Sequence, residues 1–156
     1  MELILWRHAD AEDGVRDEER RLTAKGREQA GRMASWLKQE LPRDALILVS
    51  RARRAQQTAQ ALGRKFKISE AVGTEATPQS VLEAAHWPRG TGTVLVVGHQ
   101  PTLGQAAALA LTGAPADWSV QKGAIWWLAA RDDGETRVRV VLAPDQVREI
   151  ARRSSG

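Results

Sequence analysis

The chain has 156 residues, 42% hydrophobic and 27% charged, with no cysteine and a formal net charge of +4. That length and apolar fraction predict one globular domain over residues 1–156 with its own core, and exclude repeat arrays and disordered tails. Without cysteine there is no disulfide scaffold, no thiolate zinc site and no thiol nucleophile, so any nucleophile comes from another side chain.

In chain order, Glu2 to Trp6 (ELILW) is a short apolar run that ends abruptly at Arg7-His8, as a buried strand does. Ala9 to Arg21 is polar and reads as a loop. From Thr23, a candidate cap, Ala30, Met33, Ala34 and Leu37 recur at helical spacing until Pro42. Ala45 to Val49 (ALILV) is a second buried strand ending at Ser50, which is placed to cap a helix running through Ala55, Ala59 and Leu62 to about Phe66. Thr77 to Ala85 reads as a short helix. Thr93 to Val97 (TVLVV) is a third buried strand ending at Gly98-His99, and Pro101 then starts a helix over Leu103 to Leu111, closed by Gly113.

Ala124 to Ala129 and Thr136 to Leu142 flank Asp132-Asp133-Gly134 and predict a hairpin. Alternation in TRVRVVL puts Arg137 and Arg139 on one face and Val138 and Val140 on the other. Trp126 and Trp127 alternate across their strand and are expected to be packing residues. A last helix is expected from near Pro144 to the Ser-Ser-Gly tail. Strands alternating with helices predict an α/β fold, a three-layer α/β/α sandwich with a mostly parallel central sheet and a late antiparallel hairpin.

The excess of 23 Lys+Arg over 19 Asp+Glu is small, although the pI near 10.1 suggests a nucleic-acid binder. Arginine stays charged far above neutral pH and inflates that pI, so the placing of the arginines matters more than their number. One Phe and no Tyr leave no stacking platform, which argues against a basic binding module for nucleic acid or phosphoprotein. A metal hydrolase is disfavoured as well, because no HExxH or convergent carboxylate pair is present. No secretory signal or membrane span is visible at MELILWRH or beyond, and a cytoplasmic protein without membrane or nucleic-acid partners is the expectation.

Ligands of open parallel sheets bind outside the carboxyl ends of the strands. Here those ends carry Arg7-His8, Ser50 with Arg51, Arg53 and Arg54, and Gly98-His99, so two of only three histidines converge with several guanidiniums. Arginine forks suit a phosphoryl dianion, and a neutral imidazole can attack phosphorus to form a phosphohistidine intermediate that water hydrolyses. The run at 51 to 54 reads as a helical start, in which Arg51 and Arg54 share a face while Arg53 points about 100° away from Arg54.

Arg7-His8-Ala9 after a strand resembles the Arg-His-Gly signature of the histidine phosphatase superfamily. The stretch RHADAEDG…DEERRLTAKGREQAGRMASWL is similar to its short SixA-type phosphohistidine phosphatase branch. VSRARRAQQTAQAL resembles that family's Ser-Pro-x-x-Arg-Ala-x-Gln-Thr-Ala segment, VLVVGHQPTLG its Gly-His-Asn-Pro motif, and KGAIWWL its late strand. The resemblance implies His8 as nucleophile, Arg7 and Arg54 as phosphate clamps, and His99 as the second imidazole, with Arg20, Gln100 and Arg51 as substrate-binding candidates. It implies no cofactor or metal, and as partner a protein carrying phosphohistidine, with phosphate or another oxyanion in the site.

Four positions depart from the family pattern: Ala9 replaces glycine, Arg21 and Arg51 replace prolines, and Gln100 replaces asparagine. No clear general-acid motif occurs between Glu70 and Trp87. Glu75 is the best candidate there, then Glu83 and His86, and His86 is otherwise read as a surface residue. A protonated imidazole leaves far more readily than an alcohol, so weak acid catalysis favours phosphoramidate over monoester chemistry. A phosphatase of small phosphate monoesters using the same site is the alternative reading, and a mutase is disfavoured by the absence of substrate-enclosing insertions.

Overall fold

A computed structural model describes residues 1–147. Its elements are β1 (Glu2–Arg7), α1 (Ala24–Glu40), β2 (Leu46–Val49), α2 (Arg53–Gln60), β3 (Lys67–Ile68), α3 (Pro78–Ala84), β4 (Thr93–Gly98), α4 (Thr102–Thr112), β5 (Ile125–Ala130) and β6 (Thr136–Leu142). Single 3₁₀ turns lie at Asp17–Glu19, Glu70–Val72 and Pro144–Gln146. The six strands form one sheet in the order β3-β2-β4-β1-β5-β6. The first four are parallel, and β5 and β6 run antiparallel.

Alternation along the buried strands separates two apolar layers. Ile4, Trp6, Leu95, Val97, Ile47 and Val49 face Met33, Ala34 and Leu37 of α1 and Ala55 and Ala59 of α2. Leu3, Leu5, Val94, Val96 and Leu48 face Val81 and Leu82 of α3 and Leu103, Ala106 and Ala107 of α4. The three-layer sandwich with a late hairpin is therefore as expected. The helix after β1 packs on one face and the helix after β4 on the other, so the chain departs in opposite directions from two adjacent parallel strands. The crevice between their carboxyl ends is where this class of sheet binds ligands.

Several local expectations hold. Thr23 accepts a hydrogen bond from the Gly26 N–H at 2.9 Å as the cap of α1, Gly113 closes α4 at φ +85°, and Gly134 turns the hairpin at φ +88°. Others are corrected. Ser50 does not cap α2, whose N-cap is Ala52, because the Ser50 hydroxyl is drawn inward to His99. Helix α2 stops at Gln60 rather than near Phe66, where the chain turns through Gly63 at φ +66° into the short edge strand β3, an element too brief to leave a sequence pattern. In β6 a bulge opposite Trp127/Leu128 pairs Trp127 with Val140 and Leu128 with Val138. The bulge inserts Arg139 and reverses the alternation, so Val138 and Val140 lie on opposite faces. Trp127 is buried edge-on against Trp36, and Trp126 stacks on Trp118. The expected C-terminal helix starts as a 3₁₀ turn at Pro144–Gln146, and its remainder lies outside the described residues.

Two glycines hold the site's walls close together. A Cβ at Gly26 would overlap the Asp10 carbonyl, and one at Gly104 the Trp118 carbonyl. Gly104→Ala is expected to destabilise the protein by about 3 kcal/mol, in the range of core overpacking, and to shift the Trp118–Lys122 segment. Denaturant unfolding checks this, with wild-type stability as the contrary result.

Candidate active site

Parallel register places the site. Arg7 pairs with Gly98 and Val49 with Val97, and the ladder runs on by one residue through His8 N–H to Gly98 O (3.0 Å) and Ser50 N–H to Val97 O (3.1 Å). His8, Ser50 and His99 are thus the first residues beyond three adjacent strands, all buried. The imidazole centroids of His8 and His99 are 5.2 Å apart.

His8 Nδ1 lies 2.8 Å from the Ala9 carbonyl oxygen. A carbonyl only accepts, so Nδ1 carries the proton and Nε2 presents a lone pair. The neighbouring Ala9 N–H donates to Thr58 Oγ1 at 3.1 Å, which fixes the backbone of this turn. Arg54 directs its Nε at His8 Nε2 over 3.4 Å. On the other side, His99 Nε2 is 2.7 Å from Ser50 Oγ. Ser50 is fully buried and its oxygen already accepts from the Ala52 N–H at 3.2 Å. A guanidinium only donates, so Arg54 Nη2, 3.5 Å away, faces a lone pair on His99 Nδ1, and the His99 proton sits on Nε2, which donates to the second lone pair of Ser50 Oγ.

Burial lowers the His8 pKa to about 4, reinforced by Arg54, Arg7 and Arg20 and opposed by the Ala9 hydrogen bond. Burial, then the charges of His8 and Arg54, lower that of His99 to about 3. Both rings are neutral at pH 7. Arg7 Nη1 donates to the Val120 carbonyl at 2.9 Å, while its buried Nε–H has no partner among the described residues. Burial also lowers the Arg7 pKa, yet a guanidinium keeps its proton at neutral pH.

A cavity of about 340 Å³ is lined by Arg7, His8, Ala11, Asp17, Arg20, Arg54, Thr74, His99, Gln100 and Lys122. Of the residues expected from sequence, Arg7, His8, Arg20, Arg54, His99 and Gln100 converge there. Gln100 is also a brace, since its Oε1 accepts from Gly104 N–H (2.7 Å) and its Nε2 donates to Trp118 O (2.9 Å). Arg51 does not line the cavity. It precedes the first turn of α2, so the face it would share with Arg54 never forms, and it pairs in solvent with Glu70 at 3.0 Å. Glu75 and Glu83 are exposed and do not line the cavity, and neither does His86, which borders another cavity beside Asp44. Arg21 is exposed outside the lining.

Four lining residues were not anticipated: Ala11, Asp17, Thr74 and Lys122. Asp17 reads as one acid in a polar loop, and only the 3₁₀ turn at 17–19 brings it to Arg54. The role of Ser50 had a signal, its place at a strand end beside the histidines. Among the described residues no group of three or more His, Asp or Glu side chains gathers as a metal site, and no helix is long and apolar enough to cross a membrane.

The sequence pattern of the histidine phosphatase superfamily (branch 1) matches residues 3–77. The phosphohistidine phosphatase SixA of Escherichia coli (strain K12) is 33% identical over 117 residues, covering 69% of this chain and 73% of that protein. The chain belongs to the histidine phosphatase superfamily. It is accordingly a phosphatase, a hydrolase of phosphoryl groups. A protein histidine phosphatase SixA solved in complex with tungstate superposes with a TM-score of 0.78 at 26% identity, over 93% of this chain and 98% of that one. The fold alone extends to a phosphoserine phosphatase of Entamoeba histolytica, with a TM-score of 0.70 at 16% identity over 93% and 98% of the two chains.

The neutral histidine phosphatase pocket has a consequence for stability. Histidine in the unfolded chain titrates near 6.5, above the folded values of about 4 and 3, so the unfolded state binds more protons as pH falls. Stability is expected to be intact above pH 6.5 and to decline from there towards pH 4, and His8→Asn should flatten that decline. NMR titration should find both imidazoles neutral at pH 6; midpoints near 6.5 would contradict this. Ser50→Ala should remove the acceptor that holds the His99 Nε2–H, visible in the ¹⁵N shift of that ring nitrogen, and slow turnover at least tenfold.

Proposed function

We propose that this protein hydrolyses phosphohistidine carried on a partner protein, through a covalent phosphohistidine intermediate on His8. The observation that carries the reading is the committed tautomer of His8. With Nδ1–H held by the Ala9 carbonyl, an unprotonated Nε2 stands among Arg7, Arg54 and a second neutral imidazole. The Nε2 lone pair forms a bond to phosphorus as the phosphorus–nitrogen bond of the substrate breaks. The electron pair stays on the departing nitrogen, and a ring already protonated on its other nitrogen leaves neutral. Water then attacks the phosphorus on His8, one of its protons passes to solvent, phosphate is released and Nε2 regains its lone pair.

Arg7 and Arg54 are placed to hold the phosphoryl oxygens and take up the charge that develops on them, with the His99 ring beside them. The Nε–H of Arg7, unpartnered among the described residues, is a donor suited to an oxyanion. That a relative at 33% identity is a phosphohistidine phosphatase, and that a structural relative binds tungstate, a tetrahedral oxyanion, supports both the substrate and the anion site. No carboxylate from the 70–87 segment lines the cavity, as befits a leaving group that needs little acid assistance.

His8→Ala is expected to abolish turnover and the acid-labile phosphoenzyme, and Glu75→Gln to leave both within about twofold. Specificity constants on a phosphohistidine protein should exceed those on phosphoserine peptide and sugar phosphates by at least a hundredfold. Comparable constants across the set would overturn the substrate reading.

A further inference from the structure

Arg54 has 5% of its surface exposed, and all its nitrogens are engaged. Nε points to His8, Nη1 donates to the Asp17 main-chain carbonyl at 2.7 Å, and Nη2 donates to Asp17 Oδ2 at 3.1 Å while lying 3.5 Å from His99 Nδ1. The other oxygen of that carboxylate accepts from Arg20 Nη1 at 3.0 Å. Asp17 thus lies across two of the cations that line the phosphoryl site, in the manner of an oxyanion. It does so from an exposed turn, with 57% of its side chain accessible, whereas the nucleophile lies buried on the floor.

We propose that Asp17 is a specificity-determining residue, a built-in carboxylate that competes with substrate oxyanions for Arg54 and then faces the leaving group at the rim. Two effects follow from electrostatics. A phosphoryl group must displace Asp17 from Nη2, so phosphate and similar free anions bind more weakly than the arginines alone would allow. In-line displacement from a buried nucleophile sends the leaving group outward, past a negative charge that favours a protonated imidazole and disfavours carboxylate- or phosphate-bearing leaving groups. The second effect rests on the phosphohistidine reading; the first does not.

Asp17→Asn keeps the shape and an acceptor for Arg20 while removing the charge. Titration calorimetry with inorganic phosphate is expected to show about tenfold tighter binding by Asp17→Asn than by wild type, and Asp17→Glu should restore weak binding. Unchanged or weaker phosphate binding by Asp17→Asn, in protein with wild-type melting behaviour, overturns the proposal. If Asp17→Asn melts early, Asp17→Ser is titrated in its place under the same criterion. In the kinetic arm, the preference for phosphohistidine protein over 3-phosphoglycerate should narrow at least tenfold in Asp17→Asn, and a preserved ratio counts against the leaving-group role. A wild-type enzyme that cleaves monoesters but not phosphohistidine defeats the substrate reading alone, since the phosphate titration still reports on Asp17.

Discussion

A guanidinium buried between two imidazoles is the constraint around which this site is organised. Arg54 cannot leave water without hydrogen-bond partners and a compensating charge. Its partners are His8, His99 and Asp17. Burial above all, reinforced by this permanent cation, holds both histidines beside it neutral. A neutral His8 with its proton tied to a carbonyl presents a bare Nε2, and a neutral His99 with its proton tied to Ser50 presents a bare Nδ1 to Arg54. Two chemically identical side chains are thus set apart around one buried positive charge, with backbone and hydroxyl partners deciding which ring nitrogen is bare.

The scaffold delivers these groups through regular structure rather than through flexible loops. Three parallel strands in register end at the same level, and the first residues past them are His8, Ser50 and His99. The opposite departures of α1 and α4 open the crevice, and Arg54 reaches into it from the first turn of α2. The remaining wall, the segment from Trp118 to Lys122, is held by Gln100 and by contact with Gly104, and its Val120 carbonyl anchors Arg7. Arg7, next to His8, is therefore oriented by a segment more than a hundred residues away in sequence.

Much of this was legible in the residues. Apolar runs of four to six residues ending at histidine or serine marked β1, β2 and β4, and the convergence of their ends on Arg7, His8, Arg54 and His99 followed from the parallel sheet. What escaped has common physical causes. The position of Arg51 depends on where helical geometry begins, two residues later than its serine suggested. The faces of β6 depend on a bulge that inserts Arg139. Asp17 was hidden because a loop carries no periodicity: among Glu12, Asp13, Asp17, Glu18 and Glu19, nothing local marks the one that will meet a buried arginine.

The order of chemical types along the chain, by itself, determined the layered α/β fold, the edge of the sheet at which the cavity opens, and four of the groups that line it. Those properties are local, since hydrophobic periodicity and strand ends are written in consecutive residues. Tertiary structure alone decided the tautomers of the two histidines, the brace that Gln100 forms, the exclusion of Arg51 and Glu75 from the cavity, and the carboxylate of Asp17 upon Arg54. Each depends on distances between side chains that lie tens of residues apart, and on burial, which turns an approach of 3 Å into a choice of proton position and charge.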